Sequence, residues 1–257
     1  MVLPTNLVPA PEPGTSAHGL FSALPFRPNE GVRWGGAGVE YEGYQTGLLQ
    51  SYSAVACSVP VERQLTDKPM RNEFFPASVY GSYSCSLAST SQEEAERLAT
   101  KRLTGAEEAT IEAILWERLD EALKVSPEEE VANPPIGEQG SIYVAVGLLE
   151  HYLVRNYGGG VIHVPRWLGP FLKNTKTSGA QLNTIGGVQI VLGAGYGEPG
   201  EDQKIIGTPP LFAYRTDIQV LNTPDLGHND NKVVAERDYI VGWGAGKPVS
   251  VTLTNAQ

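Results

Sequence analysis

The region that most constrains the fold lies between residues 91 and 126, where the sequence carries two consecutive helix signals. STSQEEAERLATKRL starts with serine and threonine, places glutamates at the spacing of a capping box, and ends with Lys101 and Arg102, which suit the helix dipole. Thr104 and Glu107 repeat the start signal. The run that follows keeps its apolar residues on one face, and these are Ile111, Ile114, Leu115, Leu119, Ala122 and Leu123. The sequence therefore predicts a long helical region that buries one face and ends before the next proline.

The first 30 residues contain prolines at positions 4, 9, 11, 13, 25 and 28. Each proline fixes φ and removes a backbone donor, so the segment is predicted to be extended rather than a helix or a central strand. Apolar residues are scattered among the prolines, namely Leu3, Leu7, Val8, Leu20, Phe21, Leu24 and Phe26. A solvated linker would keep fewer of them, which indicates an arm that lies on another surface. A floppy terminus is the alternative.

Residues 31–88 are rich in Gly, Tyr, Ser and Val. Two stretches, GVEYEGYQTGLLQ and FFPASVYGSYSCSL, alternate in the manner of strands. The stretch SVPVERQLTDKPMRNE between them has turn residues and charges at the density of a loop. The sequence predicts an antiparallel pair joined by a long excursion, and structureless loops of that length in compact domains are usually either functional or wrongly assigned.

A second block of helices and strands follows the loop SPEEEVANPPIGEQG. It predicts a helix over SIYVAVGLLEHYLVRNYG, a strand at VIHV, a helix over PRWLGPFLKN, a loop, a strand at GVQIVLGAGY, and a loop rich in Gly, Pro and acids. Three further strands are predicted, because apolar and polar residues alternate in them with a period near two. They are PPLFAYRTDIQVL, KVVAERDYIVGWG and KPVSVTLT. Helices and strands alternate in this block, which is an α/β pattern.

The charge balance limits the classes of function. The 257 residues carry a formal net charge of −10, which argues against a nucleic-acid reader, because such a protein neutralises phosphates with a basic patch. Residues 91–130 hold a net charge of −7 and are predicted to present a solvated acidic face. No apolar stretch approaches the ~20 residues that span a bilayer. No membrane helix is therefore predicted. The first basic residue is Arg27, so the charged start of a secretory signal is missing and no such signal is predicted. Cys57 and Cys85 are expected to be reduced rather than bridged.

Motifs for catalysis, cofactors and metals are weak. His163 lies inside VIHV, but the other histidines have no ligand-like spacing to it, and no H-E-x-x-H or C-x-x-C occurs. We expect His163 to pack near the end of a core strand. VLGAGYGEPG offers glycines after an apolar strand, yet acids and a proline follow where a phosphate-binding helix would begin, so a loop is expected there. The sequence predicts no catalytic, cofactor-binding or metal-binding residue.

The order of these elements, together with VIHVP and its following helix, LNTIGGVQIVLG and the closing NKVVAERDYIVGWGAGKPVSVTLT, resembles the HK97-type major capsid proteins of tailed bacteriophages. More narrowly, it looks like the proteins of phages that infect actinobacteria. The resemblance implies an α+β fold of the HK97-like capsid type. Its parts would be an extended N-terminal arm (1–30), an E-loop β-hairpin region (31–90), a spine helix and peripheral domain (91–140), an axial domain (141–225) and C-terminal strands that return to the peripheral domain (226–257).

The resemblance also implies a structural function and no enzyme activity. The chain would join copies of itself in hexamers and pentamers of an icosahedral virion, assembled in the host cytoplasm, that encloses double-stranded DNA without sequence-specific binding. Scaffold, portal and decoration proteins are the further partners to consider. The alternatives are another virion component, such as a head-to-tail connector or a decoration protein, an encapsulin-like compartment shell, and an α/β enzyme with an unrecognised site.

Aromatic and apolar residues of the arm and the hairpin are the expected contacts between subunits, because aromatic side chains on a protruding segment gain most by docking on a neighbour. These residues are Leu7, Phe21, Trp34, Tyr41, Tyr44, Phe74 and Phe75. Core filling within one subunit is the alternative for the hairpin aromatics.

Overall fold

The computed structural model describes residues 17–24, 26–28, 39–43, 70–86, 91–125, 142–172, 175–199, 202–225, 230–244 and 246–254. The helices of this part of the chain are α1 (Leu20–Ala23), α2 (Gln92–Val125) and α3 (Ile142–Tyr157). The strands are β1 (Arg27–Pro28), β2 (Val39–Gly43), β3 (Met70–Phe74), β4 (Ala77–Ser86), β5 (Val161–Pro165), β6 (Thr175–Ser178), β7 (Gln181–Thr184), β8 (Gln189–Gly193), β9 (Asp202–Thr208), β10 (Leu211–Arg215), β11 (Gln219–Asp225), β12 (Asp230–Trp243) and β13 (Val249–Thr254). None of the described helices combines the length and apolar character that a bilayer crossing requires.

Helix α2 confirms the predicted helical region, but the two runs form one continuous helix of 34 residues. Gly105 stands at their junction and does not interrupt it, although glycine inside a helix costs about 1 kcal/mol relative to alanine. The helix buries one face along its whole length, with Ala95, Ala99, Leu103, Ile111, Leu115 and Leu119 at most 2% exposed. Tertiary packing of this face stabilises the helix more than local propensity does.

The first sheet lies under α2 and is built around β12. One side of β12 pairs with β4 over ten residues, and the other side pairs with β11 and then with β10, all antiparallel. The edge strand β1 adds to β10 in parallel. Gly81 of β4 faces the helix, and a Cβ there would lie 2.5 Å from the backbone nitrogen of Leu103. Helix and sheet therefore approach more closely at Gly81 than any side chain would permit.

The second sheet has the strand order β13-β9-β5-β8-β7-β6 and lies between two layers. On one face, Ile162, Val164 and Ile190 pack with α3 in one core cluster. On the other face, Val161 and Val191 join the cluster that contains α2 and the first sheet. The central strand β5 is buried along all five residues, as a strand covered on both faces must be.

Strands β5, β8, β12 and β13 and helix α3 lie where the sequence predicts them, but four predictions in this half of the chain are wrong. The single predicted strand PPLFAYRTDIQVL is divided into β10 and β11, with residues 216–218 between them. β9, predicted as a loop, is the neighbour of both β5 and β13, and the predicted loop before β8 contains the β6–β7 hairpin. The predicted helix PRWLGPFLKN is only a 3₁₀ helix at Arg166–Phe171, which contains Pro170. Proline lacks the N–H that an α-helix would need at that position.

The sheets also divide the chain differently from the predicted domain ranges. Residues 142–208 and β13 build the second sheet and α3, whereas β10 and β11, inside the predicted axial range 141–225, belong to the first sheet. Of the C-terminal strands, β12 returns to the first sheet and β13 completes the second.

The described part of the predicted arm lies on its own chain. Leu20–Ala23 form one helical turn, which the proline-free stretch between Pro13 and Pro25 permits, so the prediction of a wholly extended segment is wrong there. Leu20 and Leu24 are buried in the core. Residues 1–16 lie outside the described residues.

β2 forms an antiparallel pair, but its partner is β3, which lies mostly in the stretch SVPVERQLTDKPMRNE that the sequence predicts as a loop. The predicted pairing with FFPASVYGSYSCSL is therefore wrong. β3 ends at Phe74, and β4 starts only after Pro76 and pairs with β12 instead. The second predicted strand therefore divides at Pro76, since proline cannot donate to a ladder hydrogen bond. Residues 58–69 of the predicted excursion lie outside the described residues, as does Cys57, and its last four residues, 70–73, belong to β3.

The contact at Gly81 gives a first test. Gly81→Ala is expected to lower the free energy of unfolding by roughly 1–3 kcal/mol, because the methyl group must push β4 away from the backbone of α2. Gly147→Ala is the matched control, since a Cβ on this exposed residue of α3 meets nothing within 4 Å. It should raise the free energy of unfolding by roughly 0.5–1 kcal/mol through helix propensity. Denaturant titration of both variants checks this, and equal effects would contradict the close approach.

Candidate assembly surface

Four of the seven predicted contact residues have no described side chain. Leu7, Trp34 and Tyr44 lie outside the described residues, and Tyr41 is placed on β2 opposite Asn72 by the backbone register. The role of these four in contacts between subunits stays a prediction.

Phe74 and Phe75 are neighbours with opposite environments. Phe74 is 5% exposed and makes edge-to-face contacts with Phe212 and Trp243, with ring centroids 5.4 and 4.8 Å apart. Phe75 is 57% exposed. Successive side chains of a strand point to opposite faces, so the end of β3 directs one ring inward and the next outward. Phe74 fills the core of its own chain, and Phe75 is the ring of this pair that a neighbour can reach.

A groove of about 370 Å³ lies beside this pair of rings. Residues 72–75 form one wall of the groove. The remaining walls come from α2, with Arg118, Glu121 and Ala122, and from Trp243 of β12. Burial lowers the pKa of Arg118, against the smaller opposing effect of Glu121. The groove thus combines an exposed aromatic rim with a partly desolvated guanidinium.

Phe21 packs within its own chain. Its ring lies edge-on to Phe26 at 4.8 Å and stacks on Tyr239 at 5.7 Å. The side chain is half-buried, so its free edge is the part that a neighbour could cover. Its role in assembly stays a prediction.

Other large apolar residues are exposed and escaped the sequence analysis. The most exposed are Tyr80 (69%), Phe171 (59%), Ile185 (58%), Leu221 (52%) and Val154 (50%). The strand registers place Tyr80 and Leu221 on the same face of the first sheet, the face turned away from α2. Alternation in the sequence marks two faces of a strand without showing which face the helix covers, so no local signal could have identified these residues.

The acidic helix does not present all its acids to solvent. Glu107 and Glu112 are 6% and 1% exposed, so the predicted solvated face is wrong for these two residues. Glu107 accepts hydrogen bonds from the Tyr239 hydroxyl at 2.5 Å and from Arg237 at 3.3 Å. Buried carboxylates require such partners, because desolvation of an unpaired charge is costly. Burial and the bond to Glu107 together raise the pKa of the Tyr239 hydroxyl.

His163 is a core residue, as the sequence predicts. It is fully buried, its Nδ1 is 2.9 Å from the Tyr196 hydroxyl, and its Nε2 is 3.0 Å from Thr208 Oγ1. Burial lowers the pKa of His163 to about 3, so the ring is neutral at physiological pH. Tyr196 comes from the glycine-rich turn after β8 and stacks on Trp116 of α2 at 5.1 Å. This cluster joins the second sheet to α2, and both ring nitrogens of His163 are engaged within it.

The described residues show no metal site. Within this part of the chain, no three His, Cys, Asp or Glu residues lie close enough together to hold a metal ion.

Comparison with known proteins gives similarity in fold and not in sequence. No protein-family model matches the chain, and no curated protein is significantly similar to it. The capsid of a native GTA particle is similar with a TM-score of 0.60 at 12% identity, covering 98% of this chain and 95% of that chain. The structure titled Microbacterium phage Oxtober96 has a TM-score of 0.57 at 10% identity, covering 97% and 95%.

A virus-like particle from Pyrococcus furiosus is also similar, with a TM-score of 0.52 at 11% identity, covering 91% of this chain and 92% of that chain. All three likenesses span nearly the whole length of both chains, so they concern the complete architecture rather than one motif. The resemblance inferred from the sequence is therefore confirmed for the fold: this chain has the α+β HK97-like fold of phage capsid proteins.

Proposed function

We propose that the chain is a structural shell protein that assembles with copies of itself into the icosahedral head of a tailed phage around double-stranded DNA. The observation that carries this proposal is the likeness to capsid structures over almost the full length of both chains. A fold alone does not imply a function. Here the buried, neutral His163 and the exposed apolar side chains point in the same direction, because they favour contact over catalysis.

In the proposed shell, the first sheet with α2 forms the peripheral domain and the second sheet with α3 forms the axial domain. Residues 1–16 are the part of the arm proposed to contact a neighbouring subunit, since residues 17–24 pack on their own chain. The β2–β3 hairpin is the base of the E-loop. Copies form hexamers and pentamers, and scaffold, portal and decoration proteins are the proposed further partners in a virion assembled in the host cytoplasm.

Burial of apolar surface drives the proposed assembly. Each square ångström of apolar surface removed from water contributes about 25 cal/mol, so docking of a few exposed rings such as Phe75 and Tyr80 stabilises one contact by several kcal/mol at most. Ordering of flexible segments offsets part of this gain. Closed symmetry repeats each weak contact many times, which makes the whole particle stable.

An encapsulin-like compartment shell is the second candidate. The likeness to the virus-like particle from Pyrococcus furiosus favours it, although the TM-score of 0.52 is lower than the 0.60 of the GTA capsid. Both candidates are closed shells of one chain, and they differ in what the particle encloses.

Deletion of the arm tests the proposal. Negative-stain images of the full chain should show closed shells or capsomers, and deletion of residues 2–16 should leave a folded protein that forms no closed particles. Deletion of residues 2–28 should in addition lower the stability of the subunit, because it removes the buried Leu20 and Leu24. Rings would indicate a connector instead. Normal shells from the shorter deletion, or only small particles from the full chain, would contradict the proposal.

The neighbouring rings at the end of β3 provide a matched pair of variants. Phe75→Ala is expected to change the free energy of unfolding by less than about 0.5 kcal/mol, since the ring is exposed, and to raise the concentration needed for assembly about tenfold. Phe74→Ala is expected to lower the free energy of unfolding by roughly 3–5 kcal/mol through a core cavity. Denaturation and light scattering measure the two effects, and unchanged assembly by Phe75→Ala would remove Phe75 from the contact surface.

A further inference from the structure

Two glutamates of α2 hold the first turn of α1. The backbone N–H of Leu20 donates to Glu112 Oε1 at 2.9 Å, and that of Phe21 donates to Glu108 Oε1 at 2.8 Å. The first N–H groups of a helix have no partner within the helix, so these carboxyl groups cap α1 from a different element. Gly19 permits this approach, because a Cβ there would lie 2.4 Å from Glu108 Oε1.

The carboxyl group of Glu112 also binds the turn after β8. Its Oε2 accepts the N–H of Gly195 at 3.1 Å. A Cβ on Gly195 would lie 2.2 Å from the carbonyl oxygen of Ala109, so the turn rests directly on the backbone of α2. One buried side chain therefore joins the long helix to both α1 and the second sheet.

Residues 17–24, here called the clamp segment, contact the second sheet with their other side. The N–H of Leu192 in β8 donates to the carbonyl oxygen of His18 at 2.8 Å. Arg166 donates to the carbonyl oxygens of Ala17 and Leu192, each at 3.1 Å. The clamp segment thus bridges α2 and the second sheet, with Leu20 fully buried between them.

We propose that the clamp segment is a pH-responsive joint between α2 and the second sheet, which tightens when Glu112 and Glu108 take up protons and loosens when they ionise. The inference concerns the single chain and goes beyond the proposed shell function.

The direction follows from the surroundings of the two carboxyl groups. Burial raises the pKa of Glu112 above its ordinary value of 4.5, the N–H bonds from Leu20 and Gly195 lower it by less, and Glu108 raises it further. Burial also raises the pKa of Glu108, against the opposing effects of the Phe21 N–H and Arg166. Release of the segment removes one side of the cover over both groups and moves their pKa toward the ordinary value. Docking is therefore strongest below pH 4.5 and weakens as pH rises through the raised values.

The other titratable groups around the site do not reverse this direction. Glu107 is engaged with Arg237 and Tyr239, and its charge raises the pKa of Glu108 further, which acts in the same direction. On the side of the second sheet, His163 is neutral because of its depressed pKa.

Two further neighbours belong to the second sheet and the segment itself. Burial raises the pKa of Tyr196 well above its ordinary value, so this hydroxyl stays protonated. His18 of the clamp segment is exposed and hydrogen-bonds the carbonyl oxygen of Ala180, so the experiment must separate its contribution.

Hydrogen exchange of the full chain between pH 5 and 8, corrected for the intrinsic exchange rate, measures the docking. Protection of peptides that cover residues 17–24 should decrease severalfold as pH rises, up to tenfold for each unit by which the pKa of one carboxyl group is raised. Peptides from α3 serve as the internal reference and should not follow this trend. Protection that is constant or increases with pH in residues 17–24 would overturn the proposal.

Matched variants identify the groups responsible. Glu112→Gln should remove most of the pH dependence, and Glu108→Gln should remove part of it. Glu117→Gln, which changes an exposed acid of the same helix, should leave it intact, as should His18→Asn. If Glu112→Gln does not fold, Glu108→Gln decides alone. Two outcomes would refute the role of Glu112 and Glu108. One is a pH dependence that stays complete in every glutamine variant of these residues that folds, and the other is loss of the pH dependence in His18→Asn.

Discussion

The packing of helix α2 on β4 and β12 is the interaction on which the rest of this structure depends. A helix of 34 residues with one apolar face must bury that face, and the first sheet covers it with no intervening side chain at Gly81. The other elements of the core, α1 and the second sheet, then pack against α2. The second sheet reaches it through Trp116 and Tyr196, and Lys204 of β9 pairs with Asp120 at 2.7 Å.

The buried polar groups explain why α1 and the second sheet take only one position on α2. Apolar contacts are non-directional, so they would tolerate several placements of α1 and of the second sheet on α2. The carboxyl groups of Glu107 and Glu112 accept hydrogen bonds only in one geometry, and an unmet carboxylate in the core is costly. Burial raises the pKa of Glu112, so the same group that fixes the geometry also makes it responsive to pH. In a shell, the angle between the two sheets would set how neighbouring subunits meet.

The fold recurs in capsid structures that share only 10–12% of their residues with this chain. Such chains share the periodicity of their apolar residues and the order of their elements. Different apolar residue types can occupy the same core position, so the fold is kept while the sequence changes. Residue type alone also does not show whether an apolar side chain lies in the core or on the surface. Phe74 and Phe75 are identical in type and adjacent, yet one fills the core and the other is available to a neighbour. Assembly is proposed to use the second kind of side chain.

The sequence by itself determined the elements with strong local signals: α2, α3, the buried strand of His163 and the two long C-terminal strands, because periodicity, capping and prolines act within a few residues. It also determined that His163 would lie in a core. Tertiary structure alone decided that DQKIIGT is a central strand, that Glu107 and Glu112 turn inward, and that residues 17–24 lie between α2 and the second sheet. These features depend on distant partners, such as Tyr239 for Glu107, 132 residues away, and Arg166 for Ala17, 149 residues away. No local pattern encodes a partner at such a distance.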